Sequence, residues 1–131
     1  MSKGLRQNKL TSPLACDMTA IPLSERETHM KSARDLFSET HEIRELPDGY
    51  EFRLNGDAEA MLKATQFISL EKLCCPFLAF SLKLEADGGP LWLTLTGREG
   101  VKAFIREEIN GLLGVAIEWE MSPPVQMSDE L

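Results

Sequence analysis

Three cysteines carry the chemistry this sequence could perform. Two are adjacent, in the run Glu71-Lys72-Leu73-Cys74-Cys75-Pro76-Phe77. The third, Cys16, stands in Leu14-Ala15-Cys16-Asp17-Met18. Joining two adjacent cysteines to each other closes a small, strained ring. They more readily share a soft ion, or one of them pairs with a third thiol, and Cys16 is the only third thiol in the chain. Three thiolates around one ion suit a soft, thiophilic metal or metalloid. The spacing is not a zinc signature: there is no Cys-x-x-Cys pair and no histidine at a fixed offset. His29 and His41 read as isolated surface or structural residues.

Glu71 belongs with the thiols if the helix around it persists to Cys74 or Cys75. The carboxylate then precedes the two cysteines by three and four residues and lies beside both on one helix face. It also continues an apolar stripe one turn after Phe67 and Ile68, where a carboxylate is partly desolvated unless it finds a partner. A buried glutamate holds its proton more tightly than an exposed one. Beside thiols it could accept a proton or serve as an oxygen ligand. The candidate metal ligands are therefore Cys16, Cys74, Cys75 and Glu71. A second reading stands next to this one. Free cysteine is among the most buried residue types and packs as a small hydrophobe, so Cys74 and Cys75 could be plain core.

The elements that must position these residues are legible from periodicity. Ser24 and Glu27 form a capping box ahead of Met30, Ala33, Leu36 and Phe37, which recur at helical spacing. Ile43 lies in the first arm of a hairpin, Pro47-Asp48-Gly49 makes the turn, and Tyr50, Phe52 and Leu54 alternate with charged residues in the second arm. Asn55-Gly56-Asp57 opens a second helix with the stripe Ala60, Met61, Ala64, Phe67, Ile68, Cys74 and Cys75. Pro76 stops it, because a residue before proline is pushed out of the α region.

A second hairpin pairs Phe80, Leu82 and Leu84 with Leu91, Leu93 and Leu95 about an Asp87-Gly88-Gly89 turn. Thr96 and Glu99 make another capping box for a third helix bearing Val101, Phe104, Ile105, Ile109 and Leu112, with Gly114 as the residue that ends it. Val115, Ile117, Trp119 and Met121 alternate as a fifth strand would.

The expected architecture is α+β: an antiparallel sheet of four to five strands, built from two β-hairpins between Ile43 and Leu95, with three helices near 24–38, 57–74 and 98–113 packed mainly on one face. A single domain spans 14–121, with a flexible arm at 1–13 and a flexible tail at 122–131. Trp92 falls on the polar face of the sheet, either as an interface residue or as a tolerated surface aromatic.

The chain has 131 residues, 43% of them hydrophobic and 27% charged, enough for one core without disulfide staples. A net charge of −7 disfavours a nucleic-acid groove and docking on anionic lipid. There is no long apolar span, and the polar first residues lack the apolar centre of a signal peptide. An odd number of cysteines and the missing leader point to the cytoplasm. Phosphate-binding glycine loops and the Gly-x-Ser-x-Gly nucleophile elbow are also absent.

Leu14 to Met18, Leu46-Pro47-Asp48-Gly49-Tyr50, Glu71 to Phe77 and Leu91 to Val101 together resemble a family of small uncharacterised bacterial proteins with a Glu-x-x-Cys-Cys-x-Phe run between a helix and a hairpin. The resemblance covers roughly Leu14 to Ile109 and is most specific at the cysteine pair. It implies an association with heavy-metal resistance and assigns no ligand. The functional expectation is a cytoplasmic thiol protein that binds a soft metal or metalloid ion, or cycles between thiol and disulfide. The alternative is a structural or interaction domain, a homodimer through Trp92 or Trp119, with the cysteines as core. A small thiol-dependent enzyme is a third reading, and it requires a pocket and a thiol of low pKa.

Overall fold

The computed structural model describes residues 13–114. A short 3-10 turn, Met18–Ala20, leads into α1 (Leu23–Ser38), the hairpin β1 (Glu42–Leu46) and β2 (Gly49–Leu54), α2 (Ala58–Cys74), the hairpin β3 (Ala79–Leu84) and β4 (Leu91–Thr96), and α3 (Val101–Leu113). The fold is α+β, as the alternation of helices and hairpins implies. The proposed strand at Val115 to Met121, Trp119 with it, and most of the two terminal segments lie outside the described residues.

The four strands form one antiparallel sheet in the order β1-β2-β4-β3. The two hairpins join through β2 and β4, which are the inner strands and carry the buried side chains Tyr50, Phe52, Leu54, Leu91, Leu93 and Leu95. Alternation sends Ile43, Phe52, Leu93 and Leu82 into one cross-strand row, and Tyr50, Leu95 and Phe80 into the next. Helices α2 and α3 lie against the central strands, and α1 packs across both helices. Phe37 meets Phe52 and Phe67 edge-on at 5.0 and 5.2 Å between centroids, which joins α1, α2 and the sheet in one aromatic cluster.

Two of the expected helix starts are displaced. Pro22, not Ser24, is the cap residue of α1, and it makes no side-chain cap bond. Ser24 already lies inside the first turn, so Glu27 has no cap to reach. The third helix begins at Val101 because Gly100 adopts φ +96°, a left-handed conformation that favours glycine. Thr96 is held in the ladder, opposite Gly49 and Ala79, and does not cap. The other signals stand. Asp57 caps α2 by accepting from the Ala60 N–H at 2.9 Å, and Gly114 closes α3 at φ +73°.

Trp92 does lie on the outer face, but it is not a surface aromatic. It is 4% exposed. The Arg44 guanidinium sits 4.1 Å from the ring centroid, and Arg53 and Lys83 are its cross-strand neighbours. Long basic side chains cover the indole with their stems while their heads stay in water.

Candidate functional site: a thiol cluster on a buried histidine–carboxylate pair

Helix α2 persists through Cys74, and Cys75 is its cap residue, with its N–H donating to the Glu71 carbonyl at 2.8 Å. Pro76 then ends the helix, and a bond from the Leu78 N–H to the Cys75 carbonyl, 3.1 Å, tightens the reversal into β3. The last helical turn therefore holds Glu71, Cys74 and Cys75 in fixed relation. The Glu71 carboxylate is 3.2 Å from Cys75 Sγ through Oε2 and 3.6 Å from Cys74 Sγ through Oε1. The two sulfurs are 3.8 Å apart. Both cysteines are fully buried.

Cys16 arrives from the other end of the chain. The Asp17 N–H donates to the Cys74 carbonyl at 3.0 Å, which fastens the segment to the end of α2. The Asp17 carboxylate accepts from the Thr19 N–H at 3.1 Å and caps the 3-10 turn. Ile21, completely buried, anchors the far side, and Arg26 Nε donates to its carbonyl at 2.9 Å. The result is that the Cys16, Cys74 and Cys75 sulfurs all lie within 4.8 Å of one another. All three are free thiols. Cys16 is the most accessible of them, being half-buried.

His29 completes the arrangement, and the sequence reading missed it. It is 2% exposed on α1, with Nε2 2.8 Å from Glu71 Oε1. Its ring stacks on Phe67 at 5.7 Å and 15°. With a carboxylate facing Nε2, the Nε2–H tautomer is the one assigned. Nδ1 is buried with no hydrogen-bond partner. His29, Glu71 and Cys74 also bring one donor atom each within 4.8 Å of one another. Two three-donor groups thus share Cys74. The missed signal was positional: His29 precedes Ala33, Leu36 and Phe37 at helical spacing, and these four are the buried face of α1. Met30, assigned to that stripe, is 38% exposed. His41 is the surface residue expected, exposed and bonded to Asn55 Oδ1 at 2.8 Å.

The thiols divide the available protons unequally. The neighbouring Cys74 and then Cys75 thiols hold the Cys16 thiol far below its ordinary range, with a smaller contribution from nearby His29, against burial and the charge of Asp17. The bond to Cys16 holds the Cys74 and Cys75 thiols above theirs, with burial and the Glu71 carboxylate adding to it. Cys16 is thus the thiol of the three that gives up its proton most readily. Nearby, Glu108 is exposed at the rim of a cavity and only partly desolvated there, and that desolvation and then the charges of Cys16 and Glu71 raise its carboxyl. The region concentrates negative potential around soft sulfur.

A cavity of about 220 Å³ adjoins the cluster. Cys16, Glu71 and His29 line it together with apolar side chains such as Ala33, Phe67 and Phe104, while Cys74 and Cys75 do not. The three cysteines named from the sequence as candidate ligands therefore meet at separations well inside the roughly 7 Å beyond which no shared site could exist, and Glu71, the fourth, lies against Cys74 and Cys75. Among the described residues, no helix is long and apolar enough to cross a membrane.

Searches against protein-family models, curated proteins and solved structures find no match to this chain.

Proposed function

We propose that this protein binds a soft metal or metalloid ion through Cys16, Cys74 and Cys75, in the cytoplasm, where thiols stay reduced. The observation that carries the reading is the mutual approach of the three sulfurs. Metal–sulfur bonds of about 2.3 Å in a tetrahedral site set sulfur–sulfur edges of about 3.8 Å. The Cys74–Cys75 separation of 3.8 Å already has that value. Cys16 supplies a ready thiolate. Cys74 and Cys75 lose their protons as the ion binds, so uptake releases protons. Glu71, between the thiols and His29, accepts a proton or offers an oxygen, and His29 orients it.

The core-cysteine reading explains the burial of Cys74 and Cys75 but not their company. A carboxylate and an imidazole placed against thiols cost more to bury than the apolar side chains that would fill the same space. In a structural or homodimeric protein they would have no reason to be there. The interaction reading rests instead on exposed Leu23 and Leu62 on α1 and α2, since Trp92 is covered. The redox and thiol-enzyme readings draw on Cys16, a thiol of lowered pKa beside a cavity.

Titration with cadmium or arsenite, followed by the ultraviolet sulfur-to-metal charge-transfer band, tests the proposal. One ion per chain, with the band abolished in Cys74→Ser/Cys75→Ser, is the expected outcome. Thiols that neither bind nor lose reactivity on titration would return the cysteines to the core.

A further inference from the structure

The cavity beside the thiols is larger than a bare ion needs, and it is walled differently. An ion held by three sulfurs fits within the cluster itself. The adjoining space of about 220 Å³ adds nothing to its coordination. Apolar cavities of about 150 Å³ stay dry and take up benzene. Here Ala33, Phe67, Phe104, Ile105 and Ile109 supply walls of that kind. Cys16 borders both spaces: its sulfur belongs to the cluster, and its side chain lines the cavity. A soft atom bonded to Cys16 would therefore have an apolar chamber beside it. The exposed carboxylates Glu107 and Glu108 also line the cavity and belong to its water-facing side.

Resting on the soft-ion reading above, we infer that the ligand is an organic derivative of a soft element, with the element on Cys16 and one thiol of the Cys74–Cys75 pair and its aryl or alkyl group in the cavity between α1, α2 and α3. For a trivalent arsenical the step is a ligand exchange without redox change. An aryl arsonous acid, R–As(OH)₂, the Cys16 thiolate, one Cys–SH group and one proton from solvent give R–As(S–Cys)₂ and two molecules of water. Two As–O bonds break, two As–S bonds form, and the carbon–arsenic bond is untouched. The one thiol proton and the proton from solvent leave with the two hydroxyl groups as water. The third cysteine stays a thiol, and Glu71 holds its place beside it.

The test compares phenylarsonous acid with arsenite in wild-type protein and in two variants that fill the cavity. Gly111 lines the cavity on α3, and a side chain added there meets nothing within 4 Å. Gly111→Trp should fold, which circular dichroism checks. Ala33→Leu fills the cavity from α1 and serves as the second variant. Because arsenite has no organic arm, the ratio of the two affinities isolates the cavity. The inference expects that ratio to fall by about tenfold in either filled variant, with arsenite affinity unchanged. A ratio that is the same in wild type and both variants overturns it while leaving the thiol site intact. Failure of wild-type protein to bind either arsenical overturns the thiol site as well. A fluorine resonance from 4-fluorophenylarsonous acid bound to wild-type protein gives a reading that needs no variant: broadening and a shift into an apolar environment support the inference, and a freely rotating, water-like signal contradicts it.

Discussion

The N–H of Asp17 donates to the carbonyl of Cys74 across 3.0 Å, and this one backbone bond ties the two ends of the thiol cluster together. Side-chain identity at 16 therefore matters for binding more than for folding. Cys16→Ala keeps the backbone bond and removes a half-buried sulfur. We expect a stability change under about 1 kcal/mol in urea denaturation and at least a tenfold loss of cadmium affinity. A large loss of stability with affinity unchanged would assign Cys16 to packing.

His29 and Glu71 make a second separation of stability from binding. His29→Phe keeps the ring on Phe67 but leaves the Glu71 carboxylate with only its weak thiol contacts, which should cost about 1–3 kcal/mol. The double variant His29→Leu/Glu71→Leu removes both polar groups and should recover most of that stability, because a buried polar pair is replaceable by apolar side chains. Its affinity for soft ions should nevertheless stay below wild type. A double variant that binds as well as wild type would leave the pair without a role at the site.

Thiol reactivity should be graded by position and pH. Cys16 has its thiol held far below the ordinary value of 9.0, so its thiolate persists as pH falls, whereas Cys74 and Cys75, shifted upward, stay protonated as pH rises. Alkylation mapped by mass spectrometry between about pH 5 and pH 8 should label Cys16 throughout and the other two hardly at all. A Cys16 rate that rises tenfold per pH unit across that window is the contrary result.

Trp92 now carries a stability expectation. Buried beneath Arg44, it should behave as core: Trp92→Ser should destabilise by about 3–5 kcal/mol, read as a lowered midpoint in chemical denaturation. Weakened self-association with an unchanged midpoint, followed by sedimentation, would instead restore its reading as an interface residue.

Much of this was legible in the sequence, for local reasons. Alternation at Tyr50, Phe52 and Leu54 and at Leu91, Leu93 and Leu95 placed the strands, and Pro76 placed the end of α2 beside the cysteines. The approach of Cys16 was also inferable, since Leu14 and Met18 around it pack against the core. What escaped was set by distant partners. His29 looked isolated because Glu71 lies 42 residues away, and a histidine in an apolar stripe reads as a break in it. Both capping boxes had the right residue types, but the Pro22 entry and the left-handed Gly100 fixed the helix starts elsewhere. The strand order follows from which two apolar rows meet, and the hairpins taken singly do not encode that. Trp92 was misjudged because alternation gives the face and not the cover that Arg44 provides.

The central claim concerns sulfur ligation, and X-ray absorption fine structure of the cadmium-loaded or arsenite-loaded protein measures it most directly. The account expects a first shell of sulfur, with three scatterers from Cys16, Cys74 and Cys75 in wild type and two in Cys16→Ala. A shell of oxygen or nitrogen alone, or the same sulfur number in both proteins, would contradict it.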